Sequence, residues 1–263
     1  MRRILQQDRG TLVLAFDHPL VLGPIPGTLD PGKQIQKFID AQADATLLNL
    51  GAIRYFAGAA FHGHVPGLIA RLDWTTGFNE SAKQSPGGYQ TCLVAHPEDA
   101  LQAGADAVIA FLFIGSGDAD FEKKEIQRVG ELARECERCG VPLIVESLAR
   151  GAQVNNPRDP KWLKFHTRVA AELGADVIKT ENAESVEDMR DVVRACPLPV
   201  LVLGGTRGNS DEEVVSVVRT IMQSGASGVF FGRNIFQADD MSQLLKQVFS
   251  ELTTKVALKE VPR

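Results

Sequence analysis

The chain has 263 residues, 44% of them hydrophobic, which is enough apolar material for one large core and excludes a disordered chain. Its formal net charge of −5 argues against a general affinity for nucleic acid or an anionic membrane, so any phosphate must be gripped locally.

Thr11-Leu12-Val13-Leu14-Ala15-Phe16 opens the pattern as a continuous apolar run ending at Asp17-His18-Pro19. Unbroken rather than alternating apolarity marks a strand covered on both faces, as in parallel sheets. A loop, Gly23 to Gly27, precedes a helix opened by Pro31 and capped by Asp30. Ala45 to Leu48 reads as the second strand, ending at Asn49, and a helix follows from about Ala52 to Phe61. Gly67 to Leu72 is the third strand, ending at Asp73. The polar, glycine-bearing loop Trp74 to Gln90 is long enough to cover a site. A short segment, Thr91 to Val94, comes next.

A helix from Pro97 to Ala103 stops at Gly104, and Ala107 to Phe113 is the fourth strand. Asp118 caps a charged helix that runs to Cys139 and stops at Gly140. Pro142 to Val145 is the fifth strand, ending at Glu146-Ser147, and a helix covers Trp162 to Leu173. Val177-Ile178 is the sixth strand, ending at Lys179. An amphipathic helix spans Ser185 to Cys196, and Pro199 to Leu203 is the seventh strand, ending at Gly204-Gly205-Thr206. Ser210 with Glu213 has capping-box spacing. Ser227 to Phe231 is the eighth strand, ending at Gly232-Arg233-Asn234, and a last helix runs from Met241 to about Val256. Eight strand–helix units without a composition break predict a TIM (β/α)8 barrel in which residues 1–263 form a single domain.

In such a barrel the chemistry sits at the carboxyl ends of the strands. Asp17, His18, Asn49, Asp73, Glu146, Ser147 and Lys179 all fall there. A lysine closing a buried strand must lose its charge or find a partner. Desolvation favours the neutral amine, and a neutral amine can attack a carbonyl to form a Schiff base. Lys179 is therefore the expected nucleophile, with Asp17, His18 or Glu146 as proton relays. Gly204, Gly205, Thr206 and Gly232 let backbone N–H groups approach an anion, and Arg233 adds a charged fork, so a phosphate is expected there.

Other signals carry less. Gly115-Ser116-Gly117 lacks the third glycine of a dinucleotide fingerprint, since Asp120 stands in its place. His62 and His64 precede the third strand and fall near the opposite face, so no metal and no cofactor are expected. Cys136 and Cys139 form a C-x-x-C pair inside a helical pattern, without a second pair at zinc spacing. With Cys92 and Cys196 they read as reduced thiols of a cytoplasmic protein. The first eight residues lack the apolar run of a signal peptide, and the run from Ala107 to Ile114 is too short to cross a bilayer.

The Asp17-His18 strand end, Gly174 to Thr180, Gly204-Gly205 and the run Gly225 to Gln237 together resemble the class I aldolase superfamily that includes archaeal-type fructose-bisphosphate aldolase. Leu14 to His18, Arg168 to Glu172 and Gly232-Arg233-Asn234-Ile235-Phe236-Gln237 are most similar to its branch containing the autoinducer-processing phospho-pentanedione thiolase. The resemblance covers nearly the whole chain. It implies a Schiff-base lysine at Lys179, an acid/base group at Asp17 or His18, and a small phosphorylated substrate held by Gly204, Gly205, Gly232 and Arg233. It also implies a homo-oligomer, commonly a decameric ring. One departure stands out. Sugar-bisphosphate aldolases of this kind carry Trp-Ser-Tyr-Pro-Arg-Gly after the fifth strand; here the run is Glu146-Ser147-Leu148-Ala149-Arg150-Gly151. Leu148 cannot move the proton that the tyrosine moves. The expected reaction is carbon–carbon cleavage or formation by a class I aldolase. The rival expectations are thiolase-like acyl transfer to coenzyme A, and a sugar-phosphate binding protein without catalysis.

Overall fold

The computed structural model describes residues 1–57, 65–77, 89–205 and 210–253. Eight parallel strands close on themselves. They are β1 (Thr11–Phe16), β2 (Ala45–Asn49), β3 (Gly67–Arg71), β6 (Ala107–Ile114), β7 (Leu143–Ala149), β8 (Val177–Thr180), β9 (Val200–Leu203) and β10 (Gly228–Phe231). Their order around the ring is β1-β10-β9-β8-β7-β6-β3-β2, with β1 bonded to both β10 and β2. Two short antiparallel strands, β4 (Asp73–Thr75) and β5 (Thr91–Leu93), form a separate hairpin above the ring.

Strand periodicity splits the apolar residues into two cores. Val13, Ala15, Leu47, Ile69, Ile109, Ile144, Val177, Leu201 and Phe230 cluster inside the ring. Leu12, Leu14, Leu48, Val108, Val145, Ile178, Val202 and Phe231 join the larger cluster between strands and helices. Because both faces are covered, the strands read as continuous apolar runs.

The helices are α1 (Pro19–Leu22), α2 (Pro31–Asp40), α3 (Leu50–Ala52), α4 (Pro97–Gln102), α5 (Ala119–Cys139), α6 (Pro160–Glu172), α7 (Val186–Ala195), α8 (Asp211–Gln223), α9 (Arg233–Phe236) and α10 (Met241–Leu252). Asp30, Asp118, Ser185 and Ser210 cap their helices through side-chain oxygens that accept backbone N–H groups. Gly104, Gly174 and Gly225 end helices with φ of +86°, +101° and +84°, where a side chain would be strained. Two residues later the carboxylates of Asp106 and Asp176 accept the N–H of Leu68 and Leu143 on the neighbouring strand, at 2.9 and 2.7 Å. Asp44 does the same for Leu12 at 2.8 Å. The small-residue signal is thus a helix stop joined to a latch between strands.

The structure departs from the sequence expectations in a few places. Strand β7 runs on to Ala149 rather than ending at Glu146-Ser147, so Glu146 lies mid-strand and faces inward. Ser147 then points to the outer face, where its Oγ donates to the backbone oxygen of His166 at 3.0 Å. It belongs to the helix packing and not to the ring interior. The expected helix from Ala52 is instead the short α3 followed by a wider turn, Ile53–Ala57, and its remainder lies outside the described residues. The middle of the Trp74 to Gln90 loop and the last residues of the C-terminal helix also lie outside them, as do His62 and His64. Among the described residues no helix is long and apolar enough to cross a membrane. None of the four cysteines is in a disulfide; Cys136 and Cys139 sit on α5 and make no metal site with other described residues.

His166 of α6 is fully buried, with Nδ1 2.9 Å from Ser147 Oγ and no hydrogen-bond partner at Nε2 among the described residues. Burial, helped by the charge of Arg150, pushes it down to about 3. The folded protein therefore binds fewer protons at this site than the unfolded chain between pH 6.5 and 3. Stability supplied by the neutral ring is full above pH 6.5 and is lost as pH falls, at about 1.4 kcal/mol per unit. Urea unfolding at pH 7 and pH 5 should show about 1–2 kcal/mol more loss for the parent than for His166→Gln. Equal losses in the two proteins would refute the assignment.

Candidate active site

Strand register builds the site. Glu146 on β7 pairs with Lys179 on β8, and Phe111 on β6 pairs with Glu146. Paired residues of parallel strands point the same way about 4.8 Å apart, so the Glu146 and Lys179 side chains meet inside the ring. Lys179 is 5% exposed. Its Nζ lies 2.9 Å from Glu146 Oε1 and 4.4 Å from the centre of the Phe230 ring. The lysine thus reaches the barrel interior and not the outer surface.

Glu146 Oε2 is hydrogen-bonded by Arg71 Nη2. Arg71 closes β3 and is 2% exposed. Its Nε and Nη2 both donate to Asp17 Oδ2, at 3.0 and 2.7 Å, and its Nη1 lies 3.4 Å from Asp73 Oδ1. The guanidinium lies 3.9 Å over the Phe111 ring. Asp73 in turn accepts from the Phe111 N–H at 2.7 Å and from Arg128 Nη1 at 2.9 Å. Arg128, on α5, also grips Glu125 through Nε and Nη2, at 2.9 Å each. Cations and carboxylates therefore alternate from Lys179 out to α5.

The electrostatics follow from burial and this alternation. Burial alone would raise the Asp17 carboxyl, but Arg71, then Lys179 and His18, hold it well below the usual carboxylate range. Burial would lower Arg71, yet Glu146, Asp17 and Asp73 push it above its ordinary value. For Asp73 burial wins over Arg128 and Arg71, and its carboxyl is raised. His18 is lowered by burial against the opposing pull of Asp17, with Lys179 and Arg233 reinforcing the drop, so its ring is neutral near pH 7. Asp17 Oδ1 is 3.6 Å from His18 Nδ1, beyond hydrogen-bond range, and that nitrogen has no partner among the described residues. The His18 ring packs edge-on against Phe236 with centroids 5.2 Å apart. Asn49 does not face the cavity as a reactant; its Nδ2 donates to the backbone oxygen of Asp17 at 2.9 Å and fixes that strand end.

One cavity joins these groups to the glycine turns. Asp17, His18, Arg71, Glu146 and Lys179 line it together with Gly204, Gly205, Gly232 and Arg233. Gly205 has φ +73°, open to glycine. Gly204 presses on Asn234, whose Nδ2 donates to the Gly204 oxygen at 2.9 Å. A Cβ at Gly232 would collide with the His18 ring. Arg233 Nε is buried without a hydrogen-bond partner among the described residues, and burial lowers the guanidinium against the pull of Asp17. Such a cation is satisfied by an anion entering the cavity. Thr206 lies outside the described residues. Leu148 and the Arg150–Glu181 pair, held by two bonds of 2.6 and 2.8 Å, form the far wall.

The sequence pattern brought Lys179, Glu146, Asp17, His18 and the glycine turns to one place. It passed over Arg71, Phe111, Phe230, Arg128 and the Arg150–Glu181 pair. Arg71 carries the same signal as Lys179, a cation closing an apolar strand run. The others needed three-dimensional contact to be found.

Comparison with known proteins agrees with this geometry. The family model described as DeoC/LacD family aldolase matches residues 11–238. The chain is 35% identical over 238 residues to 2-amino-3,7-dideoxy-D-threo-hept-6-ulosonate synthase of Halobacterium salinarum, covering 90% of this chain and 84% of that protein. It is 30% identical over 243 residues to 2-amino-4,5-dihydroxy-6-oxo-7-(phosphonooxy)heptanoate synthase of Streptomyces griseus, covering 91% and 84%. An archaeal fructose-1,6-bisphosphate aldolase structure, with its catalytic lysine covalently bound to the carbinolamine intermediate of its substrate, superposes with a TM-score of 0.84. It is 25% identical, and the match covers 95% of this chain and 97% of that one. A matched family model over most of the barrel, relatives at 30% and 35% identity and a buried strand lysine lead to one statement: this chain belongs to the DeoC/LacD aldolase family.

Proposed function

We propose that this aldolase makes or breaks a carbon–carbon bond beside the ketone of a small phosphorylated ketose, through a Schiff base on Lys179. The observation that carries the reading is the position of Lys179 Nζ. It is shielded from water, 2.9 Å from a carboxylate, in the cavity that also holds Gly204, Gly205, Gly232 and Arg233, whose Nε has no partner among the described residues. The names of two relatives support a phosphorylated keto compound: a fructose bisphosphate, and a heptanoate with a 6-oxo group beside a 7-phosphonooxy carbon.

In the cleavage direction the substrate phosphate rests on the glycine turns and Arg233, and its ketone faces Lys179. The Lys179 ammonium gives a proton to Glu146 Oε1, the neutral amine attacks the carbonyl carbon, and a proton passes from the nitrogen to the new alkoxide to give a carbinolamine. Glu146 returns a proton to the departing hydroxyl, and loss of water leaves the iminium. A base then takes the proton of the neighbouring hydroxyl. The carbon–carbon bond breaks, the aldehyde leaves, and its electron pair passes into the iminium to give an enamine. In this reading that base is Glu146, Asp17 or neutral His18, because Leu148 has no hydroxyl where similar aldolases place a tyrosine. Protonation of the enamine carbon and hydrolysis release the ketone and restore Lys179. Addition runs the same steps in reverse. The same proposal includes a cytoplasmic homo-oligomer, commonly a decamer in similar proteins, which sedimentation velocity would test.

Borohydride added with dihydroxyacetone phosphate should trap one reduced adduct, mapped by mass spectrometry to Lys179. Lys179→Met should trap nothing and lose at least about a thousand-fold in turnover. An unmodified parent protein across a panel of ketose phosphates would overturn the reading. Glu146→Gln keeps the shape of the side chain but cannot accept a proton, so kcat should fall about 10²- to 10⁴-fold with the trapped adduct slower to form. A kcat within threefold of the parent would remove Glu146 from the relay.

A further inference from the structure

Arg71 has no step in the scheme above, yet its placement is the most constrained in the cavity. An arginine 2% exposed inside a barrel carries a large desolvation cost that only close anionic partners offset. Here three carboxylates surround it: Asp17 from the end of β1, Asp73 from β4 and Glu146 from β7. The Phe111 ring under the guanidinium fixes the plane in which the fork lies. Behind it, Arg128 of α5 holds the second oxygen of Asp73 at 2.9 Å. A lysine could supply the charge but not the three directions.

The fork divides the labour of two carboxylates. Glu146 spends Oε2 on Arg71, which leaves Oε1 directed at Lys179 Nζ, 2.9 Å away. Asp17 spends Oδ2 on two Arg71 nitrogens, which leaves Oδ1 on the His18 side. Two carboxylates in one cavity would otherwise repel, and one would keep its proton. A shared cation between them offsets that repulsion, and Arg71 is the strongest of the charges that hold the Asp17 carboxyl low. Among the described residues the other charges that face this pair are Lys179 on β8, Asp73 on β4, Arg233 on α9 and the Arg150–Glu181 pair after β7 and β8, with His18 neutral after β1.

We infer that Arg71 is a positioning residue for proton transfer: it orients Glu146 Oε1 toward Lys179 and Asp17 Oδ1 toward His18. This rests on the assignment of Lys179 and Glu146 made above. It adds a determinant of kcat that makes no bond to the substrate carbonyl.

Three variants test it, all on the full-length protein. Arg71→Lys keeps a positive charge and is expected to fold; Arg71→Met removes the charge at similar length. For each, kcat and KM are measured separately from pH 5 to 9, along with the rate of borohydride trapping with dihydroxyacetone phosphate. Arg71→Lys should lower kcat about 10- to 100-fold with KM within threefold, because the point charge cannot hold both carboxylates. Arg71→Met should lower it further and move the acid limb of the kcat profile to higher pH. The sign follows from losing a cation beside carboxylates, which then hold protons more readily. Trapping should slow in the same order. In Arg71→Ala, added methylguanidinium should restore part of kcat, whereas methylammonium should not. A loss confined to KM, an unmoved acid limb, or trapping at the parent rate in both Arg71→Lys and Arg71→Met would overturn the inference while leaving the Schiff-base reading intact. Absence of trapping in the parent would instead remove the Schiff-base reading itself.

Discussion

The interior of the barrel mouth is a place where unpaired charge is expensive, and the site is arranged around that cost. Lys179, Glu146, Arg71, Asp73, Arg128 and Glu125 follow one another with opposite charges in contact, and Asp17 branches from Arg71. Each group is affordable because the next one is there. Breaking such a chain strands a buried charge, whereas intact pairs roughly repay their desolvation. The chain starts at the amine expected to do chemistry and ends in the outer helix layer. It therefore ties the reactive nitrogen to the scaffold by electrostatics as well as by the backbone of β8.

The backbone places the members of this chain with period two. Inward positions on the ring are apolar at the bottom: Ile69 below Arg71, Ile144 below Glu146, Val177 below Lys179. The same inward rows become charged one pleat higher. A closed parallel ring lets this happen, because every strand ends at the same face and the apolar lower layer seals the bottom. A slip of one residue on β7 would exchange Glu146 for Ser147, and the carboxylate would be lost to the helix layer where Ser147 now meets His166.

The cavity has two unlike ends. One holds glycine turns and Arg233, whose Nε has no partner among the described residues, an arrangement suited to an anion. The other is walled by Leu148 and by an Arg150–Glu181 pair whose charges are spent on each other. The replacement of the tyrosine by Leu148 goes together with a carboxylate, Glu146, brought to the lysine itself. On the proposed scheme the lysine keeps its role while carboxylates held by Arg71 carry the proton path.

Sequence alone determined the ring and most of its contents. Continuous apolar runs, glycine stops and Gly-Ala-Asp entries are local signals, and they fixed the strand ends where Asp17, His18, Lys179, Gly204 and Gly232 stand. A lysine closing a buried run is also visible in one dimension. Tertiary structure alone decided the rest. The end of β7 depends on its partner β6, which continues to Ile114 and carries β7 to Ala149; no residue of the run announces it. Whether Glu146 faces the lysine, and Ser147 the helix, follows from that register. The bond from Arg71 to Glu146 spans 75 positions of chain, and the bond to Asp17 spans 54. Such partners are chosen by which side chains a closed ring brings to its mouth, and charge pairing across that distance leaves no trace in local composition.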